Sequence, residues 1–413
     1  MKFSHENMNQ KSSRVLLITL PLNLLGGVQS KAKFLATHLS RNGYEVAMAS
    51  YSSRSGFKNV NVSWVKSLFG GEGRVGVDFY GNQIKAFHIG CRFPGAEFTY
   101  TEDSRPWRQV LNDYDRIIAV GGTPLIAHPA AVLEKKFVLW CADDLIGDRS
   151  ARMKAMSFPQ RFADRACVLP RLKRQQSLVL RSGMPIRGIS SYSVGQLKSN
   201  LVGENGDIDY LPIPIASDFF RPCPKRRQKG VMGFSGRISD PRKNAKLLFE
   251  SFCELRRREV VRELHIAGPV DEATVKLAES VGILGAVNFL GDLSREQLCN
   301  MYQSLEVFAI TSFKEGLGIS GLEAMACGVP VVSTLCGGTE DFVREGITGY
   351  ISGFSSSQFA DKVCKLLGDR DNYNRISTEC RVMIKKDFSE SKFSLALDEA
   401  WQAAWGESYL SNS

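Results

Sequence analysis

An α/β chain of two doubly wound, parallel-sheet domains is what the sequence predicts, on three observations. Short apolar, β-branched runs alternate with helix-like segments along most of its length. The chain's 413 residues exceed one typical domain. Four prolines, at 212, 214, 222 and 224, interrupt the alternation near its middle. The expected division is a polar, disordered lead-in over 1–13, an N-terminal domain over 14–211, a proline-rich linker over 212–224, a C-terminal domain over 225–390, and a closing helix and tail over 391–413.

Each strand is predicted from its apolar run. In the first half these are 15–19, 46–50, 84–88, 117–120, 137–140, 187–190 and 208–211. In the second half they are 231–235, 264–267, 287–290, 307–310 and 331–333. Runs this short between helical patterns make parallel βαβ units, whose ligands sit at the carboxyl ends of the strands. The amphipathic stretch 393–405 is read as the closing helix.

Composition narrows the class. Hydrophobic residues are 43% of the chain, enough for sizeable cores. No apolar run reaches the ~18 residues of a membrane span, and the polar opening does not read as a secretory signal. Ten cysteines stand without a C-x-x-C pair, which points to reduced thiols in the cytoplasm rather than a disulfide framework or zinc site. The net charge of +10 is lopsided, because residues 1–215 hold 28 Lys and Arg against 17 Asp and Glu. Ten basic residues and one acid, Asp164, fall within 149–187. Such a patch expects an anionic partner: a phosphate-bearing substrate or an anionic membrane surface. Nucleic acid is set aside, since aromatics are sparse there and no recognition motif appears.

The chemistry concentrates in 311–350, TSFKEGLGISGLEAMACGVPVVSTLCGGTEDFVREGITGY. Glu315 and Glu323 lie eight positions apart, Gly316 and Gly318 follow the first, and a helix-like run opens at the second. Glycines let backbone N–H groups approach a ligand, and a helix start gathers unpaired donors that suit a diphosphate. Carboxylates beside them can accept from sugar hydroxyls. The bland alternative for Glu323 is a capping box with Ser320, and for Glu315 a solvated loop carboxylate. Neither accounts for the glycines at 316, 318, 337 and 338.

Two further turns bear on a ligand. After the first strand of the second half, FSGRISDPRKNAKLL sets Arg237 and Lys243 about a turn, where an Arg fork and a Lys point charge can neutralise a diphosphate. After the first strand of the chain, Gly26 and Gly27 stand at a strand-to-helix turn. They read either as a phosphate approach or as a tight turn needing a positive φ. The order is not G-x-G-x-x-G, so a nicotinamide site gains little.

Arg237 with Lys243, Glu315, Glu323, GLEAMACGVPVVST and GGTEDFVREGITGY together resemble glycosyltransferase family 4, retaining sugar-nucleotide enzymes of the GT-B fold. The Gly26–Gly27 turn and Phe220-Arg-Pro222 are similar to that family's glycine loop and junction motif. The resemblance is strong over 186–353 and weak over 15–50. It implies two Rossmann-like domains facing across a cleft and a UDP- or GDP-sugar donor. It also implies a saccharide or lipid-linked acceptor, plausibly for a surface polysaccharide, and no cofactor or metal. Arg237 and Lys243 would contact the diphosphate, Glu315 the transferred sugar, Glu323 the ribose, Gly318 and Ile319 phosphate through their backbones, and Leu290 in NFLGDLS the base. The implied location is cytoplasmic or peripheral on the inner membrane face.

The chain departs from the family where many members carry a His after the strand at 137–140. Here WCADDLIGD stands, so Asp143 or Asp144 is read as its replacement, with an Asp143 helix cap as the alternative. A lone His128 is read as structural before functional. A silent nucleotide-binding relative acting as a scaffold, and a sugar-nucleotide hydrolase or epimerase, are the other readings. Within the basic stretch Phe162, Leu169, Leu172 and Val179 recur at helical spacing. They form either an interfacial stripe on anionic lipid or a buried stripe on a surface helix broken at Pro170. The loops 70–76 and 92–107 are placed on the acceptor side or as mobile surface.

Overall fold

The computed structural model describes residues 14–21, 26–52, 60–81, 84–146, 149, 156–201 and 206–412. The expected lead-in, Arg152 and Lys154 lie outside them. Contacts group the chain into two units, one of residues 1–188, 196–209 and 398–413, the other of 189–195 and 210–397.

The N-terminal unit is built on β1 (Arg14–Thr19), β2 (Glu45–Ser52), β3 (Val75–Tyr80), β4 (Ile84–Gly90), β5 (Arg116–Gly121), β6 (Val138–Cys141), β7 (Ile186–Gly188) and β8 (Ile208–Tyr210). Their order is β3-β4-β2-β1-β5-β6-β7-β8. Strand β1 pairs in parallel with both β2 and β5 and is buried from Val15 onward, as a central parallel strand must be. Strand β3 runs antiparallel, as a hairpin on β4. The sequence reading missed it and placed loop 70–76 on the acceptor side or as mobile surface. Its side chains are half-exposed to exposed, so no burial pattern marks it. Close backbone approach fixes the turn before it: a Cβ on Gly73 would lie 2.1 Å from the Gly90 carbonyl oxygen. The segment 92–107 is packed rather than mobile surface. Trp107 is 1% exposed and its indole N–H donates to the Tyr100 carbonyl at 3.1 Å.

The C-terminal unit holds β9 (Val231–Ser235), β10 (Glu263–Ala267), β11 (Val287–Gly291), β12 (Val307–Ile310), β13 (Val331–Thr334) and β14 (Gly349–Ser352), ordered β11-β10-β9-β12-β13-β14. Every recorded pair is parallel. Strand β14 begins at the last two residues of the motif-rich GGTEDFVREGITGY, where only the chemistry was read. In each sheet the order reverses beside the first strand, at β1/β5 and β9/β12, which is where doubly wound sheets receive ligands. The last long helix, Glu390–Trp405, buries Phe393, Leu397, Ala400, Trp401 and Ala404 at helical spacing.

The basic stretch divides by burial. Helix Leu169–Leu180 buries Leu172, Gln176, Val179 and Leu180, and a π-turn over Asp164–Val168, directly before Pro170, interrupts the helical run that joins it to the preceding helix, as expected of a proline there. Helix Phe158–Ala163 buries nothing, leaving Phe158 76% and Phe162 70% exposed. The predicted single stripe is therefore two faces with opposite fates. Two of the ten basic residues are consumed internally. Arg187 meets Asp207 at 2.8 Å. Arg149, 4% exposed, donates to both Asp164 oxygens, at 3.1 and 2.9 Å, and to Glu97 at 2.6 Å.

Removing one partner of such a buried pair strands the other charge, a loss of about 3–5 kcal/mol. Arg149→Ala is expected to fall in that range by urea unfolding. The double variant Arg149→Met/Asp164→Leu should recover most of the loss, because neither charge then needs a partner.

Candidate functional site

The candidate site gathers at the carboxyl ends of β9, β12 and β13. After β9 the chain turns through Gly236, at φ +138°, into the one-turn segment Pro241–Lys243. Asp240 accepts from the Arg242 N–H at 3.0 Å and pairs with its guanidinium, which shapes the turn. Asn244, in the left-handed region, then caps helix Ala245–Arg257. Lys243 is thereby turned toward β12, where its Nζ donates to Glu315 Oε1 at 2.5 Å. The same oxygen accepts from Ser312 Oγ at 2.6 Å. Thr311 locks the two loops by donating to the Lys243 carbonyl at 2.9 Å. Arg237 is exposed and no side-chain hydrogen bond holds it among the described residues, so its guanidinium is available to an anion.

Glu315 is fixed by its backbone. Its N–H donates to the Cys336 carbonyl at 2.8 Å, and its carbonyl accepts from Gly338 at 2.9 Å. A Cβ on Gly338 would sit 2.0 Å from the Gly316 carbonyl oxygen, so glycine alone permits this approach. Beside these loops lies a cavity of about 480 Å³ lined by Tyr192, Phe313, Leu335, Cys336, Gly337 and Glu340, among others.

Helix Ile319–Ala326 starts here. Gly318 is its N-cap at φ +88°, with no side-chain cap and no acid in the first turn. The Ile319 and Ser320 N–H groups have no acceptor among the described residues. A partly exposed helix start without a cap is a seat for an oxyanion.

The Ser320–Glu323 capping box does not form. Glu323 is the fifth helical residue, too far along to reach the cap, and its Oε2 accepts from the buried Tyr302 hydroxyl at 3.0 Å. Burial pushes its carboxyl up to about 7, while the Tyr302 hydrogen bond and Arg295 pull the other way. Leu290, near the end of β11, is 38% exposed.

In the N-terminal unit, Gly26 and Gly27 open helix Gly27–Arg41. Gly26 is extended, at φ 163°, so the turn does not use the positive φ that would require glycine. Asp144, not Asp143, turns its carboxylate inward, accepting from the Ile146 N–H at 3.2 Å. Asp143 accepts from the Asp144 N–H at 2.9 Å. His128 is buried and its Nδ1 meets the Thr101 carbonyl at 2.5 Å, a structural role. Sequence reading missed Tyr302, Ser312 and Lys31. The first two carry no motif, and Lys31 looks like an ordinary helix-surface lysine. No cluster of His, Cys, Asp and Glu able to hold a metal, and no helix long and apolar enough to cross a membrane, is found among the described residues.

Residues 217–383 match the family described as glycosyl transferases group 1. The resemblance to glycosyltransferase family 4 agrees with this. D-inositol 3-phosphate glycosyltransferase of Nocardia farcinica is 33% identical over 227 residues, 50% of each chain. The chain spans about half the length of the curated relatives it matches. Sucrose-phosphate synthase of Thermosynechococcus elongatus superposes with a TM-score of 0.74 at 15% identity, covering 95% of this chain and 99% of that one. HepE of Anabaena, in complex with UDP and glucose, superposes at 0.69 and 15% identity, covering 95% and 100%. The fold is GT-B.

A carboxyl raised in the folded state keeps a proton that the unfolded chain has lost between about pH 4.3 and 7, so stability falls as pH rises through that window. Glu323→Gln is neutral throughout. It is expected to be more stable than the wild type at pH 8, by no more than about 4 kcal/mol, with the gap closing toward pH 4. A constant gap across thermal melts would refute the raised carboxyl.

Proposed function

We propose that a chain with this group 1 domain and GT-B fold is a retaining hexosyltransferase. It moves a sugar from a UDP-sugar to a saccharide or lipid-linked acceptor in surface polysaccharide synthesis. The observation that carries the reading is the 2.5 Å contact of Lys243 with Glu315 at the β9/β12 switch, beside an uncapped helix start at Ile319. The donor base is chosen on the fold neighbour that holds UDP and glucose.

Each residue then has a physical task. Breaking the sugar–phosphate bond leaves negative charge on the diphosphate. Lys243, Arg237 and the Ile319 and Ser320 N–H groups offset that charge without reorganising. Glu315, held by Ser312 and Lys243, accepts from hydroxyls of the transferred sugar. Glu323 accepts from the ribose, and the Leu290 segment meets the base. This set supplies the positive charge, so turnover is proposed to need no metal. Group transfer with retention places the acceptor on the leaving-group face, without the carboxylate pair of a glycosidase.

The exposed Phe158 and Phe162 frame a cavity of about 270 Å³ with Arg161 and Arg165. Aromatic rings beside guanidinium groups suit the headgroup boundary of an anionic bilayer, which supports a lipid-linked acceptor and a peripheral location on the cytoplasmic face.

Arg237→Ala and Lys243→Ala should each lower turnover about 10²–10³-fold with unchanged melting. Glu315→Gln should cost transfer more than UDP affinity, and Glu323→Gln the reverse. Near-normal turnover in both cation variants, or calorimetric preference for GDP over UDP, would overturn the respective assignment. On the lipid side, binding to phosphatidylglycerol vesicles should rise with anionic content and fall with salt. Replacing Phe158 and Phe162 with Ser and Arg161 and Arg165 with Glu should abolish it while transfer to a soluble acceptor persists.

A further inference from the structure

Within the C-terminal unit, the Glu323 carboxyl is gripped from its buried side. Tyr302, on helix Arg295–Ser304, is 0% exposed, and its hydroxyl donates to Glu323 Oε2 at 3.0 Å. Glu323 itself is half-buried. One of its oxygens therefore faces the core, and the other, Oε1, has no hydrogen-bond partner among the described residues. The Ser235 side chain, at the end of β9, lies beside the same Tyr302 hydroxyl. Gly236 and Arg237 follow Ser235 at once. Tyr302 thus stands between the turn that carries Arg237 and the helix that carries Glu323.

Packing does not explain the hydroxyl. The Tyr302 ring is flanked edge-on by Phe220 and Phe308, with ring centroids 6.0 and 5.7 Å away. Phenylalanine would fill that place as well and bring no polar group into it. Nor does a buried hydroxyl need a carboxylate for its partner. A glutamine or a backbone carbonyl would satisfy it without drawing a charge out of water. What this pair does achieve is a fixed carboxylate. A donor locked by packing aims one oxygen and leaves the other to a ligand.

The surrounding charges are few. Burial raises the Glu323 carboxyl, the Tyr302 hydrogen bond is the main influence against it, and Arg295 is the next. Arg295 itself lies over the Phe219 and Phe220 rings, at 4.5 and 5.5 Å. On the helix of Tyr302, Cys299 meets the Phe219 carbonyl and Glu296 accepts from the Ser294 hydroxyl. At the end of the Glu323 helix, burial pushes the Cys327 thiol up and leaves it uncharged. Arg227 and Arg381 are taken up by carbonyls there, at Cys327 and Gly328 and at Ala326. On helix Arg370–Asp387, burial raises Tyr373 and Cys380, so neither is charged. Strands β9, β12 and β13 hold no titratable side chain. Glu306, just before β12, is bound by the Gly230 N–H and Arg370. His265 on β10 faces Glu263 at 3.3 Å.

We infer that Tyr302 is a positioning residue of the donor site: its hydroxyl holds Glu323 by Oε2, so that Oε1 is presented to the sugar hydroxyls of a ribonucleoside diphosphate donor and the site prefers ribose to 2′-deoxyribose. The ribose donates and Glu323 accepts, so the donor binds the ionised carboxylate. No covalent bond is made or broken in this step. The inference rests on the assignment of Glu323 to the ribose and adds the residue that makes that carboxylate selective.

Titration calorimetry between pH 6 and pH 8 tests this, with UDP-glucose and its 2′-deoxyuridine counterpart as probes. UDP-glucose is a diphosphate diester with no ionisation of its own in that range. Wild-type affinity for it should rise through about pH 7 as Glu323 ionises. The ribose form should be preferred about tenfold or more. Tyr302→Phe should weaken UDP-glucose binding about tenfold, narrow that preference and move the rise to higher pH. Replacing Tyr302 with 3-fluorotyrosine, a stronger donor of nearly the same shape, should move the rise to lower pH. This variant needs little repacking, so it decides the matter where Tyr302→Phe unfolds. Glu323→Gln should flatten the pH profile, and adding Tyr302→Phe to it should cost no further affinity, because Tyr302 acts through Glu323. Wild-type selectivity in Tyr302→Phe, a pH profile unmoved in both Tyr302 variants, or losses that add in the double variant overturn the positioning role alone. Where UDP-glucose does not bind the wild type, GDP-glucose and ADP-glucose with their 2′-deoxy forms take its place. Wild-type protein that binds none of the three overturns the donor reading itself, and the role of Tyr302 with it.

Discussion

The close pass of Gly338 over Gly316 is the constraint on which the C-terminal site depends. It joins the loop after β12 to the loop after β13 and leaves no room for a side chain. With the two hydrogen bonds through Glu315, it fixes a carboxylate in a loop that would otherwise fray. Lys243 then finds Glu315 because Thr311 holds the turn after β9 against the end of β12. Gly318, in the left-handed region, follows at once and aims the helix start at the same place. One backbone contact therefore orders a cation, a carboxylate and an open set of N–H donors.

Buried charge is handled in opposite ways within the N-terminal unit. Arg149 is enclosed by Asp164 and Glu97, so its burial is compensated and the cluster is architecture. Lys31 is as deeply buried, over the face of the Trp140 ring, and its amine has no hydrogen-bond partner among the described residues. Glu323 stands between these cases, with one hydroxyl donor and a raised carboxyl. A group left short of partners costs stability, and both such groups lie near the carboxyl ends of a doubly wound sheet.

The sequence by itself determined the class of the fold, because buried parallel strands must read as short apolar runs and their helices as amphipathic ones. It also singled out the candidates at 237, 243, 315, 318 and 323, because their chemistry is local to short motifs. It did not show β3, whose partly exposed side chains leave no pattern, or the division of the basic stretch into a buried helix and an exposed one. The partners of each charge were decided only by the tertiary structure. Ser320-Gly-Leu-Glu323 reads as a capping box, yet the helix begins at Ile319 and Glu323 meets Tyr302, which is 21 positions away. Lys31 reads as a solvated helix lysine, yet register sets it over Trp140, more than a hundred residues on. Spacing along the chain fixes which groups share a turn, whereas pairing across strands fixes which groups share a dielectric, and it is the second that sets their charge.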